Sequence, residues 1–135
     1  MGGNAMANIN WLAVVVAALA GFAVGGLWYG PLFGKAWMHE VGLTEEKMKS
    51  GNMLKIYGGA LALNLIAAFS LAMFIGAGDL NFGVFAGFMT GLTFVSMALG
   101  VTYLFERRSL RLWLINAGYQ TVIFTVMGAI LGAWH

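Results

Sequence analysis

The chain contains no cysteine, a single proline and few charges, since only 9% of its 135 residues are Asp, Glu, Lys or Arg. Without cysteine it forms no disulfide, no thiolate metal site and no thiol nucleophile. A soluble domain carries about a quarter charged residues, so this chain could not cover a water-exposed surface with polar groups. Its hydrophobic fraction of 61% instead suits a protein whose outside faces lipid.

Ionisable side chains are also missing from four long apolar runs, at about residues 10–29, 56–75, 82–105 and 112–134. Each run is close to the ~20 residues that a helix needs to cross the hydrocarbon layer. Ion-coupled transporters and membrane enzymes generally need acid–base groups within the membrane, so both classes are disfavoured. His39, Glu40, Glu45 and Glu46 lack the fixed spacing of metal ligands, and the sequence predicts no metal, no cofactor and no catalytic residue.

All seven cationic side chains lie in the polar segments that follow the first and third runs. They are Lys35, Lys47, Lys49 and Lys55, and then Arg107, Arg108 and Arg111. Short loops rich in Lys and Arg stay in the cytoplasm, so this pattern predicts an orientation. The predicted fold is an all-α integral membrane four-helix bundle, made of two helical hairpins with both termini outside the cytoplasm. The net charge of +2 does not indicate a nucleic-acid partner, and the expected partners are the lipid bilayer and anionic headgroups at the cytoplasmic rim.

A single transmembrane domain is predicted over residues 10–135, preceded by a flexible tail over residues 1–9. The first cytoplasmic segment, at about residues 32–50, mixes aromatic with charged residues, which predicts an amphipathic stretch on the membrane surface. Pro31 should end the first helix, because proline disfavours helix in the residue before it. Thr44 and Ser109 are predicted helix N-caps.

Small residues recur at helical spacing in three of the four runs, where they would let helix backbones approach closely. The predicted helix-packing residues are Gly21, Gly25, Gly83, Gly87, Gly91, Gly118, Gly128 and Gly132. We therefore expect a compact bundle with glycine-lined contacts. A pore wall is the less favoured use of the same glycines.

The fourth run has a second, polar face, on which Asn116 and Gln120 lie roughly opposite the small residues. An amide that faces hydrocarbon leaves donors and acceptors unpaired, so this face needs a cover. The cover is a subunit contact, a wet cavity, or another helix of a bundle wrapped around the fourth helix. Asn64 in the second run is an expected partner. The third run adds a polar stripe away from its own glycines: Thr93, Ser96, Gly100 and Tyr103.

Two helix ends repeat a pattern of glycine, tyrosine and then a basic residue, from Gly26 to Lys35 and from Gly100 to Arg107. Two hairpins related by an axis along the membrane normal would produce this repeat, and so would ordinary aromatic-then-basic helix ends. If the hairpins are related, Glu106 is expected to pair with Lys35. The predicted interface or cavity residues are Trp28, Tyr29, Pro31, Lys35, Asn64, Tyr103, Glu106, Arg107, Asn116, Tyr119 and Gln120.

Two stretches of the chain resemble a known membrane family. The more specific is Trp28-Tyr-Gly-Pro-Leu-Phe-Gly-Lys35, and the other runs from Ala98 through Leu114-Ile-Asn-Ala-Gly-Tyr119 to Trp134. Together they look like the family catalogued as domain of unknown function 1761, over nearly the whole chain from Asn10 onward. The resemblance implies a small bacterial four-helix membrane protein, and hence the inner (cytoplasmic) membrane. It supplies no activity, cofactor or catalytic residue.

The leading interpretation is a parallel homo-oligomer that serves as a non-catalytic module or partner subunit. The alternative is a passive channel, or a transporter of small molecules or lipids, with a path between subunits. The first predicts that Asn116 and Gln120 lie in a dry contact, whereas the second predicts that both amides line a continuous wet path. A membrane enzyme is the least favoured class, because buried acid–base groups are scarce.

The predicted orientation can be tested by thiol labelling, because the chain has no cysteine of its own. We expect a Lys47→Cys variant to react with a membrane-impermeant maleimide only after the inner membrane is permeabilised, because positive loops stay inside. An Ala77→Cys variant, in the turn between the second and third runs, should react in intact cells. Labelling of Lys47→Cys in intact cells would contradict the orientation.

Overall fold

The fold is taken from a computed structural model, in which residues 9–134 are described. Within that range the regular structure is helical and no strand is present. Four helical spans are long and apolar enough to cross a membrane: Trp11–Leu32, Met53–Ile75, Leu80–Glu106 and Leu110–Ala133. The prediction of four long apolar helices is therefore confirmed. The tail predicted at residues 1–9, apart from Ile9, lies outside the described residues, as does His135.

The four spans contain both α-helical and π-helical segments. The first span is α1 (Trp11–Leu27) and a π-helical segment (Trp28–Leu32), and it is followed by the short helices α2 (Gly34–Val41) and α3 (Glu45–Ser50). The second span is α4 (Met53–Ile75). The third span is α5 (Leu80–Met89), a second π-helical segment (Thr90–Val95) and α6 (Ser96–Glu106). The fourth span is α7 (Leu110–Ala133).

Polar N-caps set the beginnings of the spans, because each accepts a hydrogen bond from a backbone N–H of the first helical turn. The caps are Asn10, Asn52, Asp79 and Ser109. α4 begins at Met53 rather than at 56, and α5 begins at Leu80 rather than at 82, because each helix begins directly after its cap and includes the polar residue, Lys55 or Asn81, that precedes the continuous apolar run. The N-caps predicted at Thr44 and Ser109 are confirmed.

The first span continues through Pro31, so the prediction that this residue ends the helix is wrong. The chain passes Pro31 as a π-helix, closed by a hydrogen bond from the Phe33 N–H to the Trp28 carbonyl at 2.8 Å. A π-helical turn is wider than an α-helical turn, so it accommodates both the proline ring and the missing N–H. Gly34 follows the segment, where a Cβ atom would lie 2.5 Å from the Tyr29 carbonyl oxygen.

The second π-helical segment changes the face that the third span turns toward α7. Gly91 faces α7, and the next residue buried against α7 is Ser96, which lies five residues further along the chain. One extra residue in a turn rotates the following helix by about 100° relative to a continuous α-helix. Ser96, Gly100 and Tyr103 therefore face the same helix as the glycines do, contrary to the prediction, while Thr93 is exposed.

α7 is the central helix, since α1, α4, α5 and α6 all pack against it. Its Met127 belongs to the main core cluster together with residues of α1 and α4. α4 packs by its C-terminal half, where Ala68, Leu71 and Ile75 are buried. By contrast, residues 51–60 are all exposed. Apart from the edge-to-face contact of the Tyr57 ring with the Phe22 ring of α1, the first half of α4 has little cover inside this chain.

The backbones of α5 and α7 touch where glycines face each other. A Cβ atom at Gly83 would overlap the Gly128 carbonyl, and one at Gly87 would overlap the Phe124 carbonyl. A Cβ atom at Gly132 would lie 3.0 Å from the Gly83 Cα. Small residues let two helices in lipid gain dispersion energy through this close approach. No side chain larger than hydrogen fits at this contact without displacing a helix.

Three helices are followed by a C-cap residue with a positive φ angle: Gly42 after α2, Gly76 after α4 and Arg107 after α6. Gly42 and Gly76, with φ of 74° and 57°, adopt this conformation without strain because they are glycines. Arg107 has φ of 58°, where a residue other than glycine is uncommon. The Arg107 N–H donates to the Leu104 carbonyl and the Arg108 N–H donates to the Tyr103 carbonyl, so the last carbonyls of α6 are satisfied.

The segment predicted to be amphipathic at about residues 32–50 forms α2 and α3.

A Gly87→Ala substitution should destabilise the bundle, because its methyl group would overlap the Phe124 carbonyl and push α5 away from α7. We expect the free energy of unfolding in bicelles to fall by about 1–3 kcal/mol, the usual cost of overpacking. Gly26→Ala is the matched control, since no atom lies within 4 Å of a Cβ there, and it should not destabilise the protein. Equal losses in both variants would contradict the α5–α7 contact.

Candidate functional site

Asn116 of α7 is held between two tyrosines that come from different spans. The Tyr29 hydroxyl donates to Asn116 Oδ1 at 2.6 Å, and Asn116 Nδ2 donates to the Tyr103 hydroxyl at 2.8 Å. All three side chains are half-buried. Tyr29 and Tyr103 are the tyrosines of the repeated helix ends. The two equivalent tyrosines therefore both hydrogen-bond to the side-chain amide of Asn116. We call these three residues the tyrosine clamp.

The two π-helical segments position the clamp. Tyr103 reaches Asn116 because the second segment has rotated α6 toward α7. Tyr29 lies inside the first segment. That segment also turns the chain, so that α2 packs against the segment. As a result, the Trp37 ring of α2 lies 5.3 Å from the Tyr29 ring, edge to face.

Tyr119 extends the clamp toward the second span. Its ring lies 5.0 Å from the Tyr29 ring, edge to face, and Asn64 of α4 lies beside its hydroxyl. A Cβ atom at Gly25 would lie 3.0 Å from the Tyr119 hydroxyl oxygen, so the glycine leaves the space that this phenol needs. One aromatic and polar cluster therefore joins α1, α4, α6 and α7.

Two tryptophans tie neighbouring helices together through their indole N–H groups. Trp28 Nε1 donates to the Ile115 carbonyl of α7 at 2.9 Å, and Trp113 Nε1 of α7 donates to the Ser96 carbonyl of α6 at 2.9 Å. Each ring lies over a glycine of the accepting helix, where a Cβ atom would crowd it. These glycines are Gly118 under the first ring and Gly100 under the second.

Ser96 is a fully buried polar residue, with 1% of its surface exposed. Its hydroxyl lies 2.7 Å from the Gly91 carbonyl, 3.1 Å from the Ala117 carbonyl and 3.2 Å from the Thr121 hydroxyl. The serine thus connects the second π-helical segment to α7. Across residues 9–134, no buried side-chain nitrogen or oxygen lacks a hydrogen-bond partner.

The two basic segments of the chain meet at one end of the bundle through Glu40 of α2. Glu40 accepts a hydrogen bond from the hydroxyl of Ser109, the N-cap of α7. It also lies 3.9 Å from the Arg111 guanidinium. The connection after the first span and the turn after the third span therefore lie side by side.

Glu106 pairs with Arg108 at 2.6 Å, so the predicted pair between Glu106 and Lys35 is wrong. The turn at Arg107 folds Arg108 back toward the end of α6, which gives Glu106 a partner two residues away. The hydrogen bond to Glu106 raises the pKa of the Arg108 guanidinium. That guanidinium also lies 5.9 Å from the centre of the Tyr103 ring.

A comparison with known protein families identifies the family of the chain. The model of a family described as a protein of unknown function, DUF1761, matches residues 12–132, which include all three clamp residues. The chain belongs to this family. No curated protein and no solved structure matches the chain. The description of the family names no activity.

Of the residues predicted to form an interface or cavity, several meet within this single chain. They are Trp28, Tyr29, Asn64, Tyr103, Asn116 and Tyr119. The others do not join the cluster. Pro31, Lys35, Glu106 and Arg107 are exposed, and Gln120 is half-buried without a side-chain hydrogen bond to any residue in the range 9–134.

The glycines predicted to pack helices lie at three different contacts. Gly21 and Gly25 of α1 face Asn64 and Tyr119. The contact between the third span and α7 contains Gly83 and Gly87 of α5, Gly91 of the second π-helical segment, and Gly128 and Gly132 of α7. Gly118 lies instead under the Trp28 ring.

Sequence reasoning missed the bond between Glu40 and Ser109 and the part that the Trp113 indole plays. A charge on a short surface helix has many possible partners, so no pattern in the sequence identifies Ser109 as the one. The sequence contains a weak indication of the role of Trp113. Gly100 interrupts an apolar run of larger residues, and its missing side chain leaves room for a ring.

The cluster is suited to joining helices. Phenols, amides and indoles exchange hydrogen bonds at neutral pH without changing charge. Within residues 9–134, no group of three or more His, Asp or Glu side chains is placed to hold a metal ion. The contacts of the clamp run from side chain to side chain across three helices, which fixes how these helices are rotated about their axes.

The clamp predicts coupled losses of stability. Tyr29→Phe and Tyr103→Phe should each lower the free energy of unfolding by about 0.6–1.7 kcal/mol, the range for interhelical hydrogen bonds in membranes. In an Asn116→Ala background the same substitutions should cost much less, because the acceptor or donor is already gone. Tyr57→Phe is the control, since Tyr57 is exposed. Unfolding in bicelles measures all variants, and additive losses would contradict the clamp.

Proposed function

We propose that the chain is a non-catalytic module of the bacterial inner (cytoplasmic) membrane, crossing it four times with both termini outside, and that it self-associates in parallel. Four apolar spans of sufficient length support the membrane location. The contact between Glu40 and Ser109 supports the orientation, because it puts both basic segments at the same end of the bundle.

The observation that carries the proposal is the exposure of the first half of α4. Residues 51–60 are all exposed, although the Tyr57 ring contacts the Phe22 ring of α1 edge to face, and no atom of another helix lies within 4 Å of a Cβ at Gly58 or Gly59. Glycine lowers helix stability by about 1 kcal/mol relative to alanine, so a pair of glycines in an unpacked helix weakens it without any gain inside this chain. A partner helix that approaches closely would provide the gain.

The surface that best fits such a partner is the face of Leu54, Gly58 and Ala62, which we call the α4 seam. These residues lie four apart, so they share one side of the helix, and all three are exposed. Small residues at four-residue spacing are typical of helix–helix contacts in lipid. The Leu54 side chain, 84% exposed, would pack against the partner at one end of the seam.

A parallel arrangement follows from the charge pattern. All seven cations lie in the two basic segments, which lie at one end of the bundle. An antiparallel pair would put the cations of one protomer on the wrong side of the membrane. Two parallel protomers related by a two-fold axis would instead present the same seam to each other.

A non-catalytic role is supported by how the intramembrane polar groups are used. Asn116 and Ser96 are engaged by neighbouring helices of the same chain, so neither is free to act on a substrate. Gln120 is the exception, since it is half-buried without a side-chain hydrogen bond among residues 9–134. This amide makes a passive channel or a small-molecule or lipid transporter, with a path between subunits, the second candidate.

Self-association can be measured by energy transfer between labelled protomers diluted in liposomes. We expect Gly58→Leu to weaken association about tenfold or more, because a large side chain in a close contact costs ~1–3 kcal/mol. Gly59→Leu is the matched control, because the same change is made one residue away and about 100° around the helix. Association of Gly58→Leu at the level of the unaltered chain would contradict the α4 seam.

A further inference from the structure

A shallow, open depression, which we call the groove, lies on one face of the first half of α4, on a side of the helix different from the α4 seam. It is lined by residues of this helix and its N-cap alone: Asn52, Lys55, Ile56, Gly59, Ala60 and Leu63. These positions lie at spacings of three and four residues, so they share one face of the helix. We propose that this groove binds one anionic phospholipid of the cytoplasmic leaflet.

The polar end of the groove suits an anionic headgroup. Lys55 supplies a positive charge, and no carboxylate among residues 9–134 forms an ion pair with it. Asn52 Oδ1 accepts a hydrogen bond from the Lys55 backbone N–H at 3.2 Å, so the Asn52 amide nitrogen is left to donate to a ligand. A cation and an amide donor at the beginning of a membrane span lie where phosphate groups are found.

The remaining floor of the groove suits an acyl chain. Ile56, Gly59, Ala60 and Leu63 are apolar, and the missing side chain at Gly59 keeps the floor low. Leu63 lies about 12 Å deeper than Lys55, at ~1.5 Å of helix rise per residue. That depth is close to one leaflet of hydrocarbon, which is about 15 Å thick. From Lys55 to Leu63 the groove is first charged and then apolar. This matches the sequence of headgroup and acyl chain in a phospholipid.

A second copy of this chain fits the groove less well than a lipid does. In a parallel dimer across this face, two copies of Lys55 would come together and repel each other. Across the α4 seam, by contrast, the facing residues are uncharged. Lipid binding rests on the membrane orientation proposed above and does not depend on self-association.

The experiment is a lipid titration of the purified full chain, read by native mass spectrometry. Phosphatidylglycerol is compared with phosphatidylcholine that carries the same acyl chains. We expect the chain to retain phosphatidylglycerol about fivefold better, the factor that one lysine contributes near an anionic headgroup. Lys55→Gln should bring that ratio close to one. Lys49→Gln, which removes an exposed lysine outside the groove, should leave the ratio unchanged.

The apolar floor is tested in the same titration. Gly59→Leu should lower retention of both lipids, because its side chain would occupy the groove, whereas Gly58→Leu should not. Equal effects of Lys55→Gln and Lys49→Gln would show only general attraction to the positive end and would overturn the site. Loss of self-association in Gly59→Leu would identify the groove as a protein contact and would overturn it as well. Energy transfer on the same samples separates this failure from a failure of the α4 seam.

Discussion

The close contact between the backbones of α5 and α7 determines where the rest of the chain can lie. Glycine at Gly83, Gly87 and Gly128 lets these two helices approach until backbone meets backbone. α7 is thereby enclosed on one side, and α1 and α4 cover other sides of it. In lipid there is no hydrophobic force to gather helices, so packing at such contacts has to supply the attraction. The central position of α7 is the result.

Hydrogen bonds then set the rotation of each helix around this centre. The bonds of Asn116, Ser96, Trp28 and Trp113 all join α7 to another helix. Each is worth only about 0.6–1.7 kcal/mol. A helix rotated away from its partner would nevertheless leave polar groups facing hydrocarbon, which costs several kcal/mol for each group. These bonds therefore select one rotation among many that would pack.

Much of the fold could be predicted from the sequence because a bilayer restricts it. The lengths of the apolar runs gave the four spans, and glycine spacing gave the faces that pack. The clamp could not be predicted in full, because its geometry depends on two π-helical segments. A continuous helical wheel assigns Tyr103 to the wrong side of the third span. The general effect of proline on helices places the end of the first span too early, at Pro31. The insertion of one residue into a turn leaves no clear trace in hydropathy.

Arg107 shows a conflict between how a membrane protein is inserted and how stable it is afterwards. Its left-handed backbone costs an arginine roughly 1 kcal/mol more than it costs glycine. Glycine at that turn would relax the strain, but it would also remove one of the three cations that follow the third span. In the orientation that we propose, those cations would act during synthesis, by retaining the nascent segment on one side of the bilayer. The backbone of the finished protein would then keep a lasting strain because of a charge that is used only during insertion.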